Sequence, residues 1–459
     1  MKMKNLLLIT AVSFGLGSLF SSCSKTEGCT DITAENYNAD AEKDDGSCTY
    51  AVDPSGNDNP TGTTYIIKDD GSGTGTNTWT KNNTYILDGF VFVNSGQTLT
   101  IEPGTVIKGK PGTGASASAL IVAKGGKINA CGTAVEPIIF TFEADPLDGS
   151  VGVTTTGQWG GLIILGDAVL NTVPASQNIE GIPTSEPRGA YGGANDADNS
   201  GSLCYVSIRH GGTDIGAGNE INGLTLGGVG SGTTIHHIEV VANADDGVEF
   251  FGGNPNLKHI LVSNVGDDSY DYDQGYRGKG QFWVAIENAN SDRGGEHDGG
   301  TSPENGTPYA TPVIYNATYI GNGTSRAITF RDNAGGEYHN SVFHDFGKGI
   351  DIEDLASGED SKSRLDAGDL KLAGIVLSNI VADNIVSAVT NPGADLSGHA
   401  SVSNVSTANA GISASSPVPS ASLGTGIASA DTWFDNVTYL GAFDANGSNW
   451  AQGWTLTFP

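Results

Sequence analysis

Between residues 235 and 354, apolar and polar side chains alternate at spacing two inside short segments, and the segments themselves recur. The alternating pairs are Val248/Phe250, Tyr270/Tyr272, Ile328/Phe330 and Ile350/Ile352. Spacing two marks a strand with one buried face, not a helix. The recurring segments are five: Asp245-Asp-Gly-Val-Glu-Phe-Phe251, Asp267-Asp-Ser-Tyr-Asp-Tyr-Asp273, Asp292-Arg-Gly-Gly-Glu-His-Asp298, Ser325-Arg-Ala-Ile-Thr-Phe-Arg331 and Gly347-Lys-Gly-Ile-Asp-Ile-Glu353, and all but the third carry such a pair. Matched positions 249, 271, 296, 329 and 351 lie 22, 25, 33 and 22 residues apart. The longer steps hold Gln274–Gly280 and Gly299–Pro312, which read as loops inserted between equal turns. A period near 22 is a solenoid signal. Each copy follows a second apolar run, such as Ile235-His-His-Ile-Glu-Val or Leu257-Lys-His-Ile-Leu-Val, so every turn carries at least two strands with Gly, Asn and Asp at its corners. Such turns stack at about 4.8 Å, the ordinary spacing of paired strands. The predicted fold is all-β: a right-handed parallel β-helix with long inserted loops.

These copies, with Gly157-Gln-Trp-Gly-Gly-Leu-Ile-Ile-Leu-Gly166 and Gly275-Tyr-Arg-Gly-Lys-Gly-Gln-Phe282, resemble the pectate-lyase-like class of β-helices. They are more closely similar to surface lipoproteins of Bacteroidota-type bacteria. The resemblance covers about residues 80–459 and brings no established catalytic motif.

Taken in order, residues 1–22 combine Lys2 and Lys4 with an apolar run from Leu6 to Phe20, too short to span a bilayer, and read as a signal peptide. Leu19-Phe-Ser-Ser-Cys23 resembles a bacterial lipobox, which implies lipidation of Cys23 and an outer-membrane, surface-exposed lipoprotein. Residues 23–50 hold an acidic segment bracketed by Cys29 and Cys48, the natural local disulfide pair in an oxidising compartment. Residues 51–78 are rich in Gly, Pro, Asn, Asp, Ser and Thr and read as a tether. Residues 79–459 form the solenoid, with Asn171–Ser202 as a long irregular insertion, Asn391–Ala430 as a flexible excursion, and a Trp-rich final segment as the end cap. Cys131 and Cys204 pair if their turns are neighbours and are otherwise buried thiols.

Charge narrows the partners. Fifty-two acidic residues against 22 basic ones give −30, which repels phosphate backbones and excludes nucleic acid as a natural ligand. An acidic wall suits divalent cations, or merely keeps a secreted solenoid soluble.

Stacking the copies in register gives an outward row Glu249, Asp271, Glu296, Thr329, Asp351 and a second row Phe251, Asp273, Asp298, Arg331, Glu353. Five carboxylates, Glu249, Asp271, Asp273, Glu296 and Asp298, thus gather on three rungs, and like charges one rung apart need a partner. Calcium supplies one. Another is a third row in which Asp246 and Asp268 give way to Arg293, Arg326 and Lys348, a ladder of salt bridges. The family resemblance implies a calcium-assisted polysaccharide lyase with Arg331, Arg326 or Arg277 as base, or a glycoside hydrolase using the acids. Without a catalytic signature, the leading expectation is a lipid-anchored surface element that binds an extended cell-surface or extracellular glycan, or serves as an adhesive or structural surface element. Tyr191, Tyr276 and Tyr309 are candidate sugar-stacking rings, and His237, His259 and His339 are either a transition-metal set or corner residues.

Overall fold

The computed structural model describes residues 26, 38–41, 43, 62–216, 220–382, 385–389, 394–445 and 447–459. The stretch 1–22 expected to be a signal peptide, the expected lipidation site Cys23 and the expected disulfide pair Cys29 and Cys48 lie outside them. Chain contacts divide the protein into Met1–Ala51 and Val52–Pro459. In the first unit the described residues make a turn, Ala41 N–H donating to Asn38 O at 3.0 Å. No helix among the described residues is long and apolar enough to cross a membrane.

The second unit is a parallel β-helix. Its first wall is a sheet of ten parallel strands, from Phe90–Val93 to Val386–Ala388. One inward column climbs all ten: Val93, Val122, Ile164, Leu226, Phe250, Tyr272, His297, Phe330, Ile352 and Ala388. This is the apolar half of the two-residue alternation, stacked into a core. The one polar ring, His297, is accommodated because Nε2 meets the Tyr338 hydroxyl at 2.8 Å and Nδ1 the Glu296 carbonyl at 2.6 Å. Burial pushes that imidazole down to about 3, so it is neutral.

The outward row of the same wall changes character along its length: Phe92, Ile121, Ile163, Thr225, Glu249, Asp271, Glu296, Thr329, Asp351, Ser387. Its apolar start is covered by Leu170 and the long insertion after it, whose Ile179, Ile182 and Tyr191 pack onto Phe92, Ile121 and Ile163. The insertion is mainly irregular, as its prolines predict, apart from a short antiparallel pair, Gln177–Asn178 with Ala190–Tyr191.

The other strands form a second wall whose long strands bend at one residue per rung. Tyr205, His237, His259, Phe282, Asn316, Asn340, Gly374 and Asn404 occupy that bend, all with φ between 48° and 70°. Asn and Gly adopt the left-handed conformation readily, whereas Tyr, His and Phe do so at a cost. Stacking offsets it here: ring centroids are 4.3 Å apart for Tyr205–His237, 4.4 Å for His237–His259 and 4.7 Å for His259–Phe282. The histidine column is therefore an aromatic stack, with Trp450 and Trp454 against its edges. His339 does not belong to it. It pairs in register with Tyr315, one residue off, and Asn340 takes the bend.

Three boundaries differ from those expected. Thr64–Ile67 pairs in register with Thr84–Leu87, so the sheet starts inside the stretch 51–78 expected to be tether, ahead of Trp79. The final segment is not an end cap. It runs back along the second wall, from Ala410 N–H on Ser378 to Leu456 and Thr457 on Glu239. In doing so it buries Leu261, Val284, Ile286, Val342 and Val376, outward residues that water would otherwise face. The excursion expected over 391–430 contributes buried Ala410 and Ile412 to this strap.

Cys131 and Cys204 are register partners on neighbouring rungs, with Cα atoms 4.2 Å apart, and form a disulfide. It closes a loop of 73 residues. Replacing both with Ser is expected to cost about 3 kcal/mol, seen as a lower urea midpoint that reductant no longer changes.

Candidate metal centre

The doublets Asp245-Asp246 and Asp267-Asp268 sit at the corner immediately before two strands of the first wall, Val248–Phe251 and Tyr270–Asp273. The corner is tight. A side chain at Gly247 would meet Val262 Cγ1 at 2.3 Å and the Ser269 carbonyl at 2.7 Å. Asn243 fixes it by donating to the carbonyls of Asp246 at 2.9 Å and Ile221 at 3.1 Å. Stacking the two corners places acid on acid, and the Asp268 N–H donates to Asp246 Oδ1 at 2.8 Å.

Around these corners lies a cavity of about 210 Å³ lined by Glu180, Glu220, Asn222, Asp245, Asp246, Glu249, Asp267, Asp268, Asp271 and Glu296. Among the described residues, no lysine or arginine lines it. Three sets of carboxylates bring one oxygen each within 4.8 Å of the others: Asp245/Asp246/Asp267, Asp246/Glu249/Asp271 and Asp267/Asp268/Asp292. Asp246 and Asp267 each belong to two sets. The Asn222 amide donates to Glu249, and to Glu180 at 3.3 Å. Its own Oδ1 has no partner, nor has Asp268 Oδ1, although the two residues are only 1% and 2% exposed.

The electrostatics follow. Burial first, and neighbouring carboxylates second, push Asp246, Glu249, Asp268 and Asp271 well above the usual carboxylate range. The same causes bring Asp245 up to about 7. Only the downstream side of the site is compensated. Arg293 reaches Asp268 at 3.2 Å, Asp292 at 2.8 Å and Glu296 at 2.6 Å. Arg331 reaches Glu296 at 2.8 Å and Asp298 at 2.6 Å, and Arg326 reaches Asp351 at 3.4 Å. The two sequence readings are thus both present, segregated along the axis: salt bridges downstream, uncompensated acid upstream.

Of the five acids expected to gather, Glu249, Asp271 and Glu296 line the cavity and stand in one row. Asp273 and Asp298 do not line it. Two residues further along their strands, about 6.6 Å away, Asp273 accepts from Thr301 at 2.6 Å and Asp298 pairs with Arg331. The bases implied by the lyase resemblance are all engaged. Hydrogen bonding to Asp298 is the main influence holding Arg331 more firmly charged than usual, and Arg277 is bound to Asp196 at 2.9 Å and to the Val169 carbonyl. Tyr191 and Tyr276 are buried, and Tyr309 lies under the Arg364 guanidinium at 4.0 Å, so none of the three is a free sugar platform.

The donor set fits a hard cation. Every lining side chain offers oxygen, none is Cys or His, and several carboxylates converge, which is the chemistry of calcium and not of zinc or copper. The orphaned oxygens of Asn222, Asp268 and Asp271 are what such an ion would satisfy.

A coil of parallel strands with an acidic pocket on one wall defines a class: a β-helix with a candidate cation site. Residues 71–455 match the model of the pectate-lyase-like beta helix domain, and the chain belongs to that family. No curated protein and no solved structure matched it significantly.

Proposed function

We propose that the protein is a lipid-anchored, outer-membrane surface β-helix that takes up calcium in its acidic cavity and binds an extended extracellular glycan. The observation that carries the cation is the cavity itself, where buried acids face one another, no lysine or arginine among the described residues lines the space, and the buried oxygens Asn222 Oδ1, Asp268 Oδ1 and Asp271 Oδ1 lack any partner. Asp246, Glu249 and Asp271 would hold the ion, with Asp245 and Asp267 beside them. Bound there, calcium cancels the repulsion between stacked corners and joins consecutive rungs. Glycan in place of nucleic acid follows from the net charge of −30.

Calorimetric titration of the chelated full chain tests the cation, with a dissociation constant between about 10⁻⁴ and 10⁻³ M expected of an extracellular site. Absence of both heat and any calcium-dependent melting shift would sink this reading. The anchor rests on Leu19–Cys23. Cells fed labelled fatty acid should label the wild type and leave Cys23→Ser unlabelled, and surface proteolysis of intact cells should remove the former. A blank array of neutral polysaccharides would remove the glycan part.

A further inference from the structure

Nine carboxylates line the acidic cavity, and among the described residues only Asp268 and Glu296 of these form ion pairs, both with Arg293 and Glu296 also with Arg331. The other seven meet no base, and one divalent ion cancels only two charges. They lie at two depths. Asp246 and Glu249 are each 7% exposed with Asp271 half-buried beside them, whereas Asp245 is half-buried and Asp267 exposed toward the mouth. Oxygens of Asp246, Glu249 and Asp271 converge within 4.8 Å, and so do those of Asp245, Asp246 and Asp267. Each depth also has a buried oxygen without a partner. Asn222 Oδ1 accompanies the inner set, since the same amide donates to Glu249. Asp268 Oδ1 accompanies the outer set, since Asp268 follows Asp267 in the chain and its N–H donates to Asp246 at 2.8 Å. The third convergent set, Asp267, Asp268 and Asp292, is already occupied: Arg293 stands 3.2 Å from Asp268 and 2.8 Å from Asp292.

We propose that the cavity holds two divalent cations bridged by the Asp246 carboxylate, an inner ion on Glu249 and Asp271 and an outer ion on Asp245 and Asp267. The inference rests on the cation reading above and adds the number of ions and the place of each. Two metal ions that share ligands in this way stand about 4 Å apart. Three carboxylates fill only part of a calcium shell of about six to eight oxygens, and water supplies the remainder. A water takes about 30 Å³ of liquid, so the cavity of about 210 Å³ has room for both ions and several waters. The inner ion draws on Glu249 and Asp271, register partners on neighbouring strands, and so ties one rung to the next. The outer ion draws on corner residues open to water and exchanges first. It is also the weaker, because the inner ion has already cancelled part of the field that attracts it.

Equilibrium dialysis of the chelated full chain against radioactive calcium counts the ions, at about 10 mM, tenfold above the weakest dissociation constant expected. The baseline is the variant carrying Asp245→Asn, Glu249→Gln, Asp267→Asn and Asp271→Asn together, which keeps side-chain shape and removes the charge, so that calcium held loosely elsewhere on the acidic surface is subtracted. The wild type should bind two ions more than this baseline. Asp245→Asn with Asp267→Asn should bind one more, having lost the weaker step, and Glu249→Gln with Asp271→Asn should also bind one more. A wild-type excess of one overturns the second ion and leaves the cation reading standing, whereas no excess overturns both. An excess of two that persists in either double variant, or that vanishes entirely in either, overturns the inference as well. Crystals of the wild type soaked in terbium(III), an oxygen-seeking ion of calcium's size, need no variant. Two anomalous peaks about 4 Å apart beside Asp246 are expected, and a single peak there overturns the bridged pair.

Discussion

In the presence of chelator at pH 8, Asp246→Asn is expected to melt above the wild type, and in excess calcium it is expected to melt below it. The reversal comes from one physical cause. Without an ion, Asp246 is a buried carboxylate facing Asp268, Asp245 and Asp267, and removing its charge relieves their repulsion, a gain of about 2 kcal/mol. With an ion, Asp246 is shared by two of the three oxygen clusters, and the amide cannot replace its charge. Calcium at a hundredfold excess over its dissociation constant stabilises the wild type by about 2.7 kcal/mol, roughly 5 °C in melting temperature. The variant forfeits most of that. The pH dependence has a definite sign. A carboxyl whose folded pKa is raised holds its proton more tightly in the folded state, so its contribution favours folding at low pH and is lost as pH rises through the folded value. For Asp245 that window runs from the usual carboxylate range up to about 7. Calcium-free protein should therefore lose stability from mildly acidic pH to neutrality, and saturating calcium should flatten or invert the slope. Scanning calorimetry at pH 5 and pH 8, with chelator and with calcium, reads all four corners. Parallel behaviour of wild type and variant in every condition would contradict the cation site.

Glu239→Ala should be more damaging, by on the order of 5 kcal/mol. Glu239 is fully buried, and its carboxylate accepts from the N–H groups of Leu456 at 2.9 Å and Thr457 at 2.8 Å, from the Thr457 hydroxyl at 2.8 Å and from Ser207. Truncation leaves these donors buried without an acceptor and unpins the far end of the strap. Beneath that end lie Leu261, Val284 and Ile286. The variant should show a lowered melting temperature, early proteolysis within 407–459 and binding of a hydrophobic dye. Glu239→Gln, which keeps the acceptor oxygen but loses the charge, should recover part of the loss. A strap equally protease-resistant in Glu239→Ala would show that its apolar contacts alone hold it.

The coil stack was legible because its signal is repeated. Glu249, Asp271, Glu296, Thr329 and Asp351 share a row because the 22-residue period and the two-residue alternation together leave only one register that buries Phe250, Tyr272, Phe330 and Ile352. The cavity was half legible. The doubled acids Asp245-Asp246 and Asp267-Asp268 are visible in the repeats, but whether such a corner meets arginine or more acid depends on neighbours. Asp268 has Arg293, whereas Asp246 has none. Glu180 and Glu220 come from insertions that follow no period, so nothing in the chain places them beside Glu249. The strap was hidden for a related reason. Its buried residues, among them Ala410, Ile412, Leu440, Phe443 and Phe458, are scattered through Ser, Ala and Gly and copy the shape of a wall instead of repeating one. Thr64–Ile67 escaped notice because a single four-residue strand among Gly, Asp and Thr carries too few apolar positions to show alternation.

The strap sets an order of events. The residues that shield the outer rows from Glu239 to Ser378 follow those rows in the chain, so the second wall is laid down before its outer cover on that side. Bringing Leu456 and Thr457 onto a carboxylate laid down more than 200 positions earlier then acts as the closing step.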